Sequence, residues 1–305
     1  MHNYRQFFCA CFTRKWIIIS HINAFLAKKT QYPPVLRRKN MMNQRKSDLI
    51  LENFGTEISR PHRTGDARTF ERMGFSVHTA LSGTDRYHTV VTGKLWASPP
   101  DDRRRCVRLC AALLTEYLHR AGVCRDARIL FAGIGNPALA SDAVGPKTCD
   151  RIAVTRGDSL LTGLGFPEIA AVRPGVPGRT GLDTAEQIFL LAEHMHADVI
   201  VTADALAAKS RERLQTVIQI TDAGMTPGAG LSRGGSPVTR ETMHRPVISV
   251  GVPMVIRADL LDDSFAGEPM FVTRAEADAA ADCYAGVIAG AVNLALSGNA
   301  EISVT

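Results

Sequence analysis

The sequence predicts an α/β fold: a mostly parallel central sheet with helices on both faces, preceded by an N-terminal β-hairpin region. Three observations carry that expectation. Strand-length apolar runs alternate with stretches of helical period through the second two thirds of the chain. The runs "ARILFAG", "DVIVTAD" and "PVISVGVP" are almost wholly apolar, as strands covered on both faces are. Finally, 305 residues that are 45% apolar and 22% charged can bury one large core.

Taken in order, residues 47–93 are polar and turn-rich, with "FSVHTAL" and "RYHTVVTG" as two strands around a turn at "SGTD". "SPPDD" breaks the chain, and an amphipathic helix follows over about 103–121, stopping near Gly122. "ARILFAG" then reads as a strand, "DAVGPKTCDRIAVT" as a helix, "EIAAVRP" as a short strand and "GVPGRTGLDT" as a loop. "DTAEQIFLLAEHMHA" is a helix capped by Asp183 or Thr184, since either side chain can accept from the free amides of a first turn. The strand "DVIVTAD", the run "TVIQITD", the Gly-rich loop "PGAGLSRGGS", the strand "PVISVGVP" and an Ala-rich helix over about 275–297 complete the chain. No internal repeat interrupts residues 100–305, so residues 47–305 are expected to form one domain.

The formal net charge of +6 belongs to one end. Residues 1–46 hold 10 Lys or Arg and no acid, leaving 26 basic against 30 acidic residues beyond them. A basic extension therefore sets the charge, and the folded part is not expected to bind nucleic acid directly. The apolar stretch Trp16 to Ala27 is too short to span a bilayer, which takes ~20 residues. Residues 1–46 read as a disordered extension and propeptide, with Met41 or Met42 as the expected start of the functional chain. Seven cysteines at irregular spacing, with no CxxC pair, fit reduced thiols. Cys106 and Cys110 share a helical face, and packing explains them better than a zinc site. His194 and His196 in "HMH" point to different helix faces and are expected at a solvent-facing helix end rather than on a metal.

Ligands of open parallel sheets gather beyond the carboxyl ends of the strands. Two runs lead there to an aspartate: "ILFAG" continues through "GIGNPALASDAVGP" to Asp142, and "DVIVTAD" ends on Asp204. On neighbouring strands, the two carboxyls would face one crevice. One, ionised, could take a proton from water while the other, protonated, polarises a carbonyl or supplies a leaving group. Two alternatives stand beside this. Asp142 could be a helix cap and Asp204 a turn residue, and Gly133, Gly135 and Ala138 satisfy a permissive dinucleotide fingerprint. Pro137 inside that turn, and no clear acidic residue about twenty positions on, count against the fingerprint.

Four strings in register, "GIGNPALASDAVGP", "RPGVPGRTGLDTAEQI", "DVIVTADALAAKSRERLQTVIQITDAGMTPGAGL" and "PVISVGVPMVI", resemble the spore germination protease (GPR endopeptidase) family. The resemblance implies an α/β protease fold of the phosphorylase/hydrolase type, similar to hydrogenase maturation proteases. It further implies a homotetrameric, self-processing zymogen in the cytoplasm of the developing spore, the spore core. Its partners would be small acid-soluble spore proteins, cut during germination after an acidic residue that precedes an apolar one. By motif, the essential aspartates fall on Asp142 and Asp204, with no cofactor and no metal. "RKSDLI" resembles the processing region, implying cleavage between Asp48 and Leu49, and Glu57–Ile58 is a second acidic-apolar junction. The stretch between "GVPMVI" and "MFVTRAEAD" is shorter than in long family members. The alternatives are a nickel-dependent hydrogenase-maturation-type protease, whose own "GIGN" loop leads into an acidic residue, and an inactive spore-associated binding protein of the same fold.

Overall fold

The computed structural model describes residues 67–124, 126–229, 235–265 and 270–297. The expected extension over residues 1–46, the processing site at Asp48 and Leu49 and the Glu57–Ile58 junction lie outside these residues. All the described residues belong to one compact unit that begins at Lys46.

One sheet holds every strand among the described residues. They are β1 (Arg68–Arg72), β2 (Phe75–Ser82), β3 (Asp85–Val91), β4 (Arg128–Gly133), β5 (Glu168–Val172), β6 (Val199–Ala208), β7 (Val217–Thr221), β8 (Val247–Arg257) and β9 (Phe271–Val272). Their order is β1-β2-β3-β7-β8-β6-β4-β5, with β9 beside β8. β8, β6, β4 and β5 run parallel, but β1, β2, β3 and β7 join antiparallel, as does β9. The sheet is therefore mixed, not mostly parallel as the sequence suggested. The reason lies in the connections. A parallel return needs a crossover of a dozen or more residues, usually a helix. Residues 209–216, between β6 and β7, carry no helix, and β7 runs against β8. The expected hairpin forms as β2 and β3, but β3 pairs with β7 and extends the same sheet. β1 and β9 escaped the sequence reading.

Helices cover both faces, as expected. On one side lie α1 (Pro100–Arg120), the short α2 (Val144–Cys149) and, last in the chain, the Ala-rich helix Ala277–Leu296. α1 starts with Pro100, has Asp101 and Asp102 in its first turn and ends with His119 and Arg120, charges that suit the helix dipole at each end. Its stripe Cys106, Leu109, Cys110, Leu113, Leu114 and Tyr117 is buried, and both cysteines are free thiols in that core. Tyr117 donates to the Ile220 carbonyl (3.1 Å), fastening α1 to β7. Tyr284 of the Ala-rich helix donates to the Gln215 carbonyl (2.7 Å), at the entrance to β7.

Between β4 and β6 the chain adds α3 (Ser159–Gly163), α4 (Pro177–Thr180) and α5 (Thr184–His194). α5 covers the other face, where Ala185, Ile188 and Ala192 pack on Leu130, Ala132, Ile200 and Val247. Asp183 is its cap, accepting from the Glu186 amide at 3.0 Å. His194 and His196 are exposed at its end, while Met195 between them is buried. The four-residue α6 (Arg240–Met243) precedes β8, and the Ala-rich helix is α7. α7 is long and apolar enough to cross a membrane by length and composition; here most of its side chains are buried against α1 and the sheet.

Candidate active site

β4 is the point at which the parallel half reverses. β5 lies on one side of it and β6, the next parallel strand in the chain, on the other. Crossovers that leave in opposite directions open a crevice at the carboxyl end of such a strand. β4 and β6 pair only as far as Gly133 and Ala203. There β4 turns away into the loop that carries Asp142, while β6 continues alongside β8 to Ala208. Asp204 is therefore not the end of its strand, as the sequence suggested. It is the first residue of β6 beyond the end of β4.

Two glycines bring the Asp142 loop close to the sheet. A Cβ on Gly145 would overlap the carbonyl oxygens of Ile134 and Ala203, and one on Gly133 would overlap the Gly145 carbonyl. α2 can thus sit directly on the ends of β4 and β6 only with hydrogen at both positions. The same need accounts for the glycines of "GIGN": Gly135, at φ 128°, packs against the backbone oxygen of Asp142. Close packing explains them without a bound nucleotide.

Asp142 closes a 3-10 turn, Ala140–Asp142. Its Oδ2 accepts from the Asn136 amide at 2.8 Å, and that amide also reaches the Asp142 carbonyl at 3.0 Å. Burial pushes the Asp142 carboxyl up to about 6, against the pull of the Asn136 hydrogen bond. The side chain does not cap α2: Ala143 holds the cap position, without a side-chain bond.

Asp204 is 5% exposed on β6. Its Oδ1 accepts from the Ala205 amide at 2.7 Å. It pairs with Gly251 of β8, and a side chain there would meet Leu206. One step back along the same face, the hydroxyls of Thr202 and Ser249 bond at 2.8 Å, and Thr202 also donates to the Met225 sulfur at 3.3 Å.

Asp142 and Asp204 line the same cleft, whose volume is about 720 Å³. Its walls are Ile134–Asn136, Val176–Gly178 and Gly224–Ala229, and its floor includes Gln219, Thr221 and Ser249. The two carboxyls are the acidic groups among the described lining residues, and no Lys, Arg or His lines it with them. A carboxyl with a raised pKa, in a partly apolar cleft that a second carboxyl also lines, can hold and exchange a proton near neutral pH.

Sequence reasoning picked both aspartates but missed what surrounds them. Tyr87 lines the cleft because β3 pairs with β7 and brings Tyr87 opposite Thr221, a register no local pattern reveals. Asn136 was visible only as part of the "GIGN" string. Arg179, whose Nη1 donates to Asn136 Oδ1 at 2.8 Å, sits in a four-residue helix too short to show a period.

The family model described as "Germination protease" matches residues 78–265, a span holding both aspartates and most of the cleft. The chain is similar to the germination protease of Halalkalibacterium halodurans, 31% identical over 210 residues, which cover 67% of this chain and 54% of that protein. The germination proteases of Bacillus cereus strain G9842 and of Bacillus anthracis are each 36% identical over 160 residues, 51% of this chain and 44% of theirs. The chain thus spans about half the length of the curated relatives it matches. With the family model extending over more than half of its residues, the chain belongs to the germination protease family.

Proposed function

We propose that this protein is an endopeptidase that degrades small acid-soluble spore proteins during spore germination, cutting after an acidic residue that precedes an apolar one. The observation that carries the reading is that Asp142 and Asp204, delivered by different strands, open into one cleft beyond the end of β4. Family membership supports the reaction class.

In this reading Asp204, as carboxylate, takes a proton from a water molecule. The water oxygen attacks the peptide carbonyl while the protonated Asp142 donates a hydrogen bond to the carbonyl oxygen. Collapse of the tetrahedral adduct breaks the C–N bond, and the amine leaves with the proton passed on by the carboxyl pair. One acid and one amine result, and the enzyme regains its single shared proton. The raised pKa of Asp142 supports it as the proton-holding partner. No cofactor enters the scheme. The chain is further proposed to act as a homotetramer in the spore cytoplasm, and light scattering of the purified protein tests that assembly.

The deciding experiment is incubation with a small acid-soluble spore protein and mapping of the cut sites. Cuts after Glu or Asp before an apolar residue are expected, with none from Asp142→Asn or Asp204→Asn although both still fold. Undiminished cleavage by either variant would end the two-carboxylate reading.

A further inference from the structure

We propose that Arg179 is a positioning residue for Asp142, acting through the side chain of Asn136. The proposal rests on the reading of Asp142 as a reacting group.

The loop from Gly135 to Asp142 is short and held mostly from within. Leu139 N–H donates to the Asn136 carbonyl (3.1 Å), Asp142 N–H to the Leu139 carbonyl (2.8 Å), and Asn136 N–H to both oxygens of Asp142 named above. Asn136 is its hub. The backbone amide holds the Asp142 carboxyl, and Oδ1 of the side chain accepts from Ala138 N–H (3.1 Å) and from Arg179 Nη1 (2.8 Å). The first of these acceptor bonds stays inside the loop. The second reaches across to the opposite wall.

That wall is the turn into α4, whose Val176, Pro177 and Gly178 line the cleft immediately before Arg179. Among the described residues, the Arg179 to Asn136 bond is the hydrogen bond that joins this wall to the Asp142 loop. A planar guanidinium on a neutral amide oxygen fixes orientation without placing its own charge on the carboxyl. The guanidinium is exposed, so it can be replaced without opening the core. With Arg179 gone, the Asn136 side chain keeps only its bond to Ala138 N–H, and the residue whose amide holds the Asp142 carboxyl loses its tie to the facing wall. Weakening a bond to the charged form of a carboxyl raises its pKa. The other titratable groups lining the cleft are Asp204 on β6 and Tyr87 on β3, and Asp183, after the α4 turn, is taken up by Glu186 and Ser236.

The test uses the full chain and follows the Asp142 carboxyl carbon by NMR through a pH titration, in wild type, Arg179→Ala, Arg179→Lys and Asn136→Ala. The midpoint is expected to rise by about half a unit or more in Arg179→Ala and Asn136→Ala. Arg179→Lys, which keeps one donor, should recover at least half of that shift. On a spore-protein substrate, kcat is expected to fall about tenfold in Arg179→Ala, with KM changed less than twofold. An Asp142 midpoint in Arg179→Ala equal to that of wild type overturns the proposal. If Asn136→Ala does not fold, the two Arg179 variants carry the test alone. The titration needs no substrate, so it fails or succeeds independently of the two-carboxylate reading, whose own failure would show as full cleavage by Asp142→Asn.

Discussion

At the scale of single residues, the placement of the two aspartates in one cleft was legible because parallel strands gather the groups near their carboxyl ends at one end of the sheet. Asp142 follows the apolar run of β4, and Asp204, though inside β6, lies past the point where β4 stops pairing. Their environments were not legible, because burial depends on what packs above them. That burial has a consequence for stability. The Asp142 carboxyl titrates at about 6 in the folded chain against an ordinary 3.8. Below the unfolded value both states are protonated and the folded state keeps its full stability. Between about 3.8 and about 6 the unfolded state ionises while the folded state holds its proton, so stability falls as pH rises, and about 2–3 kcal/mol is lost by the pH at which the buried carboxyl itself ionises. Asp142→Asn is therefore expected to be more stable than wild type at pH 7 and nearly equal to it at pH 4, in urea melts at the two pH values. The same titration bears on the proposed chemistry. kcat/KM should fall as pH rises past the Asp142 midpoint of the free protein, near 6, and kcat should fall at a higher pH, because a bound peptide excludes water from the cleft. A rate that climbs steadily to pH 9 would remove Asp142 from the acid role.

Elements were legible in proportion to their length and period. α1, α5 and α7 each show an apolar stripe at helical spacing, and each forms within a few residues of the expected limits. The sequence "DAVGPKTCDRIAVT" promised a full helix and yields only the six residues of α2. The contact that fixes α2 is a backbone approach rather than a stripe: Gly145 lies against the ends of β4 and β6. Gly145→Ala should cost at least about 3 kcal/mol in denaturant melts, since the added methyl meets backbone oxygens that have no room to yield. Asp183 offers a milder test. It caps α5 through the Glu186 amide, and its second oxygen holds the Ser236 amide and hydroxyl at 3.2 Å each. Asp183→Ala is expected to cost about 1–2 kcal/mol, with a matching drop in melting temperature.

For the molecule as a whole, strand direction was the least legible property. Inside "TVIQITD" five residues in a row, Val217–Thr221, are buried, and a fully buried run carries no mark of which way its neighbours point. Direction was set by the absence of a crossover helix, and it turned an expected parallel sheet into a mixed one. Protection against hydrogen exchange should follow the resulting layout. Amides of β4, β6 and β8, inside the sheet and under helices on both faces, are expected to exchange last, and those of the edge strand β1, whose residues are largely exposed, first. Mass-spectrometric exchange that found β1 as protected as β6 would contradict this architecture. The ten-residue span of β6 past the shorter β4 also gives the two carboxyls unequal mechanical footing. Asp204 stands on a rail, clamped along its length by β8, whereas Asp142 rides on a short arm pinned chiefly by Asn136. Variation in the chain should be felt differently at the two ends. One residue inserted between Asn136 and Asp142 would only lengthen the arm and reset the gap, but one inserted in β6 ahead of Asp204 would turn that carboxyl to the opposite face of the sheet. The adjustable partner of the pair is Asp142, and any tuning of their spacing is written in the seven residues from Asn136 to Asp142.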